Sequence, residues 1–332
     1  MRFRAIYLDK PGHDGGTAQV RDVEDDAIPL RGGGTVALDV AFSTVNYKDA
    51  LAITGRSPVV RRFPMVPGID LAGTVLAGES AGWRAGDQVV ATGWGLGEEH
   101  WGGLAERART KAEWLVRKPA SMTLYDTMAI GTAGFTAALC LMAFEAQGVQ
   151  PGDGEVLVTG ATGGVGSIAV MLLSSSGYRV VAATGKPEAE AYLRRLGAHG
   201  VIDRASLGAP GKPLQKERWA AAVDTAGSHT LANICASTRS NGVVAACGLA
   251  QGLDFPGTVA PFILRGITLV GINSVMVPID KREEAWRRME RLLDRDRLRA
   301  LSREIGLSDA LEAAPRLLAG EVTGRLVVNT RL

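Results

Sequence analysis

The stretch Val156-Leu157-Val158-Thr159-Gly160-Ala161-Thr162-Gly163-Gly164-Val165-Gly166 restricts what this chain can fold into more than any other. β-Branched and aliphatic residues run into a glycine-rich turn, and Ser167-Ile168-Ala169-Val170-Met171-Leu172-Leu173 continues as an apolar helix. A buried strand turning directly into a helix leaves the first N–H groups of that helix without intrahelical partners, and the helix dipole favours negative charge there. Glycine at the turn removes the Cβ that would hold a pyrophosphate away from those groups. A glycine-rich turn alone is a weak signal; its weight comes from what flanks it.

From residue 155 onward, short apolar runs alternate with helical patterns. Glu155–Thr159, Arg179–Ala183, Gly200–Ile202, Ala221–Asp224, Gly242–Ala246 and Ile267–Gly271 read as strands, with Gly166–Ser175 and Glu188–Leu196 as helices. Strands joined by helical crossovers imply a parallel, doubly wound Rossmann sheet. Ahead of it, Arg2–Leu8, Thr35–Val45, Gly68–Val75 and Gly86–Ala91 are rich in strand formers, and Gly32-Gly33-Gly34 marks a turn. This part reads as an antiparallel, barrel-like domain with irregular loops. Asn46–Gly55 reads as a loop entering a short helix that ends at Gly55, and Thr127–Ala146 as a long buried helix. Residues 281–300 read as one surface helix with a buried stripe through Trp286, Met289, Leu292 and Leu293. Leu326-Val327-Val328 reads as a strand returning to the N-terminal domain. The predicted organisation is α/β, with 1–124 and 296–332 in one domain and 125–295 in the dinucleotide-binding one.

The second strand of the Rossmann pattern ends at Ala183-Thr184-Gly185-Lys186. An NAD-preferring site carries an acidic residue here for the ribose 2′-hydroxyl. This chain offers a hydroxyl, a glycine and a cation, and Arg204 after the third strand adds a second cation. Cations suit a 2′-phosphate through charge-assisted hydrogen bonds, so NADPH is the expected cofactor. Cys140, Cys235 and Cys247 are widely spaced, and His13, His100, His199 and His229 are scattered. No trio with zinc-ligand spacing emerges, so no metal is expected. No Cys/His arrangement suited to a nucleophilic hydrolase stands out either, which disfavours a hydrolase.

The net charge of +2 is too small to argue for nucleic acid. The N-terminus lacks the apolar core of a signal peptide, and the sequence reads as having no run of about 18 apolar residues. The odd, separated cysteines fit a reducing compartment. A cytoplasmic protein without a membrane association is the expectation.

Further segments match a known family: Asn46–Gly55, Pro67-Gly68-Ile69-Asp70, Thr92-Gly93-Trp94-Gly95, His100-Trp101-Gly102-Gly103, Gly131-Thr132-Ala133-Gly134-Phe135-Thr136, Ala245–Ala250 and Pro261–Arg265. Along essentially its whole length the chain resembles the zinc-independent medium-chain dehydrogenase/reductases. Within them it is most similar to the NADPH-dependent acrylyl-CoA reductase group, whose older members are labelled quinone oxidoreductases. The resemblance implies a GroES-like catalytic domain as the partner of the Rossmann domain. It also accounts for the metal reading, since Ile69-Asp70 stand where zinc-dependent relatives carry a His-Glu pair.

The resemblance implies that NADPH is held by Tyr47, Thr162, Gly163, Gly164, Val165, Thr184, Gly185, Lys186, Arg204, Leu249, Ile263, Ser274 and Arg325. Asn46, Tyr47 and Lys48 belong to the loop that faces the nicotinamide in the family and are the expected catalytic residues. Hydride would add to the β-carbon of acrylyl-CoA, and donors would stabilise the charge developing on the thioester oxygen. Tyr47 would orient the nicotinamide or substrate or serve as proton donor, with water as the alternative donor. Arg56, Arg61 and Arg62 are expected at the coenzyme A phosphates, and Trp94 and Trp101 around a short acyl chain. Quinone reduction at the same cofactor site is the alternative, and a non-enzymatic nucleotide- or RNA-binding role on the same fold is a further one. Relatives pair through the last strand of the sheet, so a homodimer through Ile267–Gly271 is expected.

Overall fold

The structure, a computed structural model, describes residues 1–9, 18–29, 34–78 and 82–332; His13 and the turn glycines Gly32 and Gly33 lie outside the described residues. The chain divides into two compact units, one of Met1–Thr132, Val275–Glu290 and Leu298–Leu332, the other of Ala133–Ser274 and Arg291–Arg297.

In the first unit, β1 (Arg2–Leu8), β2 (Ala18–Glu24), β3 (Thr35–Thr44), α1 (Tyr47–Thr54), β4 (Asp70–Ala77), β5 (Gln88–Thr92), β6 (Arg107–Lys111) and β7 (Val116–Arg117) follow one another. The chain then enters α2 (Leu124–Ala146). The second unit carries β8 (Glu155–Val158), α3 (Gly164–Ser175), β9 (Arg179–Thr184), α4 (Glu190–Arg195), β10 (Gly200–Asp203), α5 (Ala205–Gly208), β11 (Trp219–Asp224), α6 (Ser228–Ser237), β12 (Thr238–Ala246), α7 (Ala260–Arg265) and β13 (Thr268–Gly271). The C-terminal part has α8 (Ile279–Leu292), α9 (Arg295–Ala300), β14 (Ser302–Ile305), α10 (Leu307–Leu318) and β15 (Arg325–Asn329).

The first unit is mostly antiparallel β. Its seven-stranded sheet runs β14-β15-β3-β4-β5-β7, with β6 also on β3, and β1 pairs with β2 separately. The final strand pairs antiparallel with β3, Val327 opposite Thr44. Alternate residues of β3 (Val36, Leu38, Val40) are fully buried with Leu71, Val75, Val89 and Trp114, the period-2 pattern of a strand with one face on a core. A second core gathers Ile6, Ile53, Met65, Trp101, Leu307 and Val328.

The second unit is a six-stranded parallel sheet in the order β10-β9-β8-β11-β12-β13, the strand order of a doubly wound dinucleotide fold. Val156, Leu157 and Val158 of the central β8 are all fully buried, as a parallel strand covered on both faces requires. Fully burying side chains of this size stabilises by about 1.5–3 kcal/mol each. The strand ends therefore have little freedom, and the turn after β8 is fixed by what precedes it.

Two helices differ from expectation. The helix expected at 281–300 is two, α8 and α9, because the Asp294 carboxylate accepts a hydrogen bond from Arg297 N (3.0 Å) and starts a new helix. The helix expected at 127–146 begins at Leu124 and is interrupted at Gly131, whose φ and ψ are 50° and −159°. Contrary to the sequence reading, α2 is long and apolar enough to cross a membrane by length and composition, but 78% of its most apolar stretch is buried within the protein, as in a core helix.

Candidate active site

In the second unit the glycine-rich turn is built as its sequence demands. Gly160 has φ of 55°, and a Cβ there would meet Thr225 Oγ1 at 2.3 Å; a Cβ at Gly166 would meet the Gly160 carbonyl oxygen at 2.3 Å. No larger residue fits either place. Gly163 precedes the first turn of α3 and no side chain caps it, so its leading N–H groups are presented as an anion would need them.

A buried carboxylate that sequence reasoning missed braces this turn from below. Thr159 Oγ1 donates to Asp224 Oδ1 (2.8 Å), Gly227 N donates to Asp224 Oδ2 (2.8 Å), and Thr225 N donates back to Thr159 Oγ1 (2.9 Å). Burial pushes the Asp224 carboxyl above its ordinary range, against the pull of these donors. Nothing in the sequence marks Asp224 except its place at the end of an apolar strand.

The expected 2′-phosphate residues converge at the end of β9. Thr184 Oγ1 lies 3.5 Å from Thr162 Oγ1 and accepts from Lys186 N at 3.1 Å. Arg204 N donates to the Thr184 carbonyl (2.9 Å). A Cβ on Gly185 would stand 2.4 Å from Arg204 Nε, so the guanidinium is seated on that glycine. Arg204 is exposed and forms no ion pair among the described residues. The carboxylate of Asp203, its neighbour in sequence, accepts from Ala205 N (2.9 Å). Tyr192, which the sequence did not single out, donates its hydroxyl to Ser167 Oγ (2.8 Å) and ties α4 to α3. Leu249 after β12 and Ile263 on α7 are exposed by 53% and 73%, and Ser274, at the end of the unit's main segment, is half-buried.

In the first unit the expected catalytic loop is the start of α1. Asn46 caps the helix with its own N–H, which donates to Asp49 Oδ2 (2.8 Å), and Asp49 Oδ1 accepts from Ile69 N (2.9 Å). The Asn46 side-chain amide donates to Asp70 Oδ2 (2.8 Å), and its carbonyl accepts from Arg325 Nη1 (3.0 Å). Asp70 is fully buried and also accepts from Thr44 Oγ1 (2.7 Å) and Thr132 Oγ1 (2.6 Å). Arg325 is 3% exposed and donates to the Ala129 carbonyl (3.0 Å), with Nη2 4.0 Å from Asp70. Burial lowers the Arg325 pKa while Asp70 and Asp49 raise it. Burial first, and the Asp70 charge after it, pushes the Asp49 carboxyl up to about 7. Asn46 and Arg325 are thus engaged within the protein itself, in a network that fixes where Tyr47 begins the helix.

Tyr47 is 43% exposed. Lys48 Nζ donates to Glu98 Oε1 (2.7 Å), which places its charge beside the loop after β5. Arg61 is exposed with Glu99 3.9 Å away, while Arg56 and Arg62 are exposed without ion pairs among the described residues. The two tryptophans part company. Trp101 is 7% exposed, donates to the Pro64 carbonyl (2.9 Å) and packs edge-on against Tyr7 (5.6 Å), so it belongs to a core. Trp94 is partly exposed and stacks on Trp114 (6.4 Å). Burial holds the His100 pKa below its ordinary value, and its ring lies 4.9 Å from Trp114. Among the described residues no three His, Cys, Asp or Glu side chains are grouped to hold a metal ion.

Residues 32–120 match the alcohol dehydrogenase GroES-like domain, and residues 164–294 match the zinc-binding dehydrogenase family. A probable acrylyl-CoA reductase of Escherichia coli is 48% identical over 98% of this chain and 99% of its own length. The chain belongs to the medium-chain dehydrogenase/reductases. Another member, the acrylyl-CoA reductase of Ruegeria pomeroyi, is 45% identical over 98% of this chain and 99% of its own. Among solved medium-chain dehydrogenase/reductase structures, the yhdH oxidoreductase from Salmonella enterica in complex with NADP is 48% identical with a TM-score of 0.95, covering 99% of this chain and 100% of that one. Bacillus subtilis yhfP with NAD bound is 41% identical with a TM-score of 0.94, at 99% and 100% coverage.

Proposed function

We propose that this protein reduces the carbon–carbon double bond of acrylyl-CoA to propionyl-CoA with NADPH, without zinc. The single observation that carries the reading is the Arg204 guanidinium seated on Gly185, beside Thr184 and Lys186 and without a carboxylate partner among the described residues. That arrangement suits a 2′-phosphate and would be electrostatically idle opposite a bare ribose. Gly163, Gly164 and Val165 at the uncapped start of α3, with Thr162, suit the pyrophosphate. Leu249, Ile263 and Ser274 complete the cofactor contacts on the same unit.

When bound, NADPH supplies a hydride to the β-carbon, and negative charge then develops on the thioester oxygen. Tyr47 and Lys48 are the groups assigned to meet that charge, Tyr47 as hydrogen-bond or proton donor and Lys48 as a cation steadied by Glu98. Asn46 and Arg325 are assigned as positioning residues, because their hydrogen bonds fix the α1 N-terminus. Asp70 supports the zinc-free reading: its carboxylate is saturated by Thr44, Asn46 and Thr132. Arg56, Arg61 and Arg62 are exposed cations suited to coenzyme A phosphates, and Trp94 is suited to bounding the acyl group. NADPH and acyl-CoA thioesters are cytoplasmic metabolites, so the cytoplasm is the proposed setting.

A homodimer through β13 is part of the reading. This strand is the outermost of the parallel sheet, and Val259, Ile263 and Leu264 near it are exposed by 67%, 73% and 68%. An open strand edge beside exposed apolar side chains favours pairing with a second copy. Sedimentation of wild type and Val270→Pro should show a dimer and its loss.

The functional reading is tested by steady-state NADPH oxidation with acrylyl-CoA, crotonyl-CoA and a simple quinone. The highest kcat/KM on acrylyl-CoA is expected. A quinone preference, with no acyl-CoA turnover, would assign the protein instead to quinone reduction.

A further inference from the structure

Trp94 is held in a backbone conformation that bulky residues rarely adopt. Its φ is 58°, and Gly93, Gly95 and Gly97 around it have φ of 77°, 75° and 74°. Glycine enters this region freely, whereas a side chain with a Cβ is crowded there. The Trp94 indole N–H is also buried without an acceptor among the described residues. A strained backbone and an unmatched donor at one residue persist only where the surroundings over-determine its position.

Those surroundings are one buried arginine and one aromatic ring. Arg282 is 1% exposed, and its guanidinium carbon lies 4.5 Å from the centre of the Trp94 ring. Nη1 donates to both the carbonyl and the hydroxyl of Thr92 (2.8 Å each), Nη2 donates to the Val275 carbonyl (2.8 Å), and Nε donates to the Val277 carbonyl (2.9 Å). The Val275 carbonyl in turn accepts from Trp94 N at 3.0 Å. One guanidinium therefore grips the residue where the loop leaves β5, the segment that receives the tryptophan N–H, and the indole face. Trp114 stacks on the indole with an interplanar angle of 10°. Thr92 pairs with Asp70 across β4 and β5, so the Trp94 loop springs from the same strand pair that anchors Asn46 and, through it, Tyr47.

We propose that Arg282 is a positioning residue for substrate selection: by locking the Trp94 indole it limits the length of acyl chain accepted. This rests on the reading of the protein as an acyl-CoA reductase. A planar fork with a delocalised charge makes these contacts simultaneously, and a lysine ammonium cannot.

The test measures kcat/KM for acrylyl-CoA and 2-hexenoyl-CoA in wild type, Arg282→Lys, Trp94→Gly and the double variant, with the KM for NADPH and thermal unfolding recorded for each. Glycine accepts the φ of position 94, so Trp94→Gly removes the ring without adding backbone strain. Wild type is expected to prefer the short chain. Trp94→Gly should lower that preference by about tenfold or more, the order of discrimination an apolar pocket gives. Arg282→Lys should lower it in the Trp94 background and leave it unaltered once Trp94 is glycine, the non-additivity of two residues acting as one. An unchanged ratio in folded Arg282→Lys, or an equal drop in both backgrounds, would overturn the inference. Wild-type turnover of acrylyl-CoA without a chain-length preference would overturn it too, while leaving the functional reading intact; no acyl-CoA turnover at all would remove the reading on which it stands.

Discussion

A Cβ placed on Gly185 would stand 2.4 Å from Nε of Arg204, so the guanidinium rests directly on the backbone that ends the second strand of the parallel sheet. The contact needs glycine on one side and a planar cation on the other. If it serves the 2′-phosphate, each charged hydrogen bond to that group contributes about 1.5–3 kcal/mol. Arg204→Ala should then raise KM for NADPH about 10–100-fold and leave NADH kinetics nearly unchanged. Gly185→Ala should act in the same direction by displacing the guanidinium. Equal effects on both coenzymes in initial-rate measurements would show that Arg204 does not read the phosphate.

Tyr47 begins α1 and is 43% exposed, while Asn46 before it and Asp49 after it are locked into the buried network. Its hydroxyl is therefore carried on a rigid base. Tyr47→Phe removes the hydroxyl alone and should lower kcat on acrylyl-CoA about 10²-fold, the usual worth of one positioned donor or acid, with KM for NADPH little changed. Unchanged turnover would take Tyr47 out of the chemistry and leave the proton to water.

Asp49 links stability to pH. Burial raises its carboxyl from the ordinary 3.8 to about 7. Between those values the folded state holds a proton that the unfolded chain has released, so this group's contribution is fully present below about pH 4 and is lost as pH rises through 7. Asp49→Asn removes that dependence. Urea unfolding at pH 5 and pH 8 should show the wild type losing more stability than the variant on going to the higher pH. A loss of the same size in both would place the Asp49 pKa near its unfolded value.

Gly131 breaks α2 because nothing larger fits. At its φ of 50° a Cβ would lie 2.6 Å from Asp70 Oδ2 and 2.7 Å from Arg325 Nη2. Gly131→Ala should cost about 1–3 kcal/mol for the backbone conformation, with a further loss from parting two buried, oppositely charged groups. Denaturant unfolding reads the sum. Stability within about 0.5 kcal/mol of wild type, the range of an inconsequential surface change, would show that the network yields easily.

The parallel sheet was legible because its strands are apolar on both faces and its turn must be glycine at Gly160 and Gly166. The end of β9 was legible because an acidic residue is missing there and cations stand in its place. The network around Asp70 was not, since the Asn46–Asp49 segment, Asp70, Thr132 and Arg325 are far apart in sequence and none has a local signature of burial. From sequence Asn46 reads as a catalytic residue and Arg325 as a cofactor ligand; the fold adds that Asn46 bonds to Asp70 and Arg325, and Arg325 to the Ala129 carbonyl. Trp94 and Trp101 look alike in a glycine-dense loop, and only the fold separates the core residue from the restrained one. The break at Gly131 has the same origin: an apolar run with no proline gives no sign that a carboxylate and a guanidinium press on one of its glycines.

Hydride delivery to the β-carbon of acrylyl-CoA is tested by isotope placement. The protein is supplied with acrylyl-CoA and NADPH deuterated at the transferring C4 position, and the acyl-CoA product is examined by mass spectrometry and NMR. Propionyl-CoA carrying one deuterium on the β-carbon is expected. Absence of propionyl-CoA, or deuterium on the α-carbon, would contradict it.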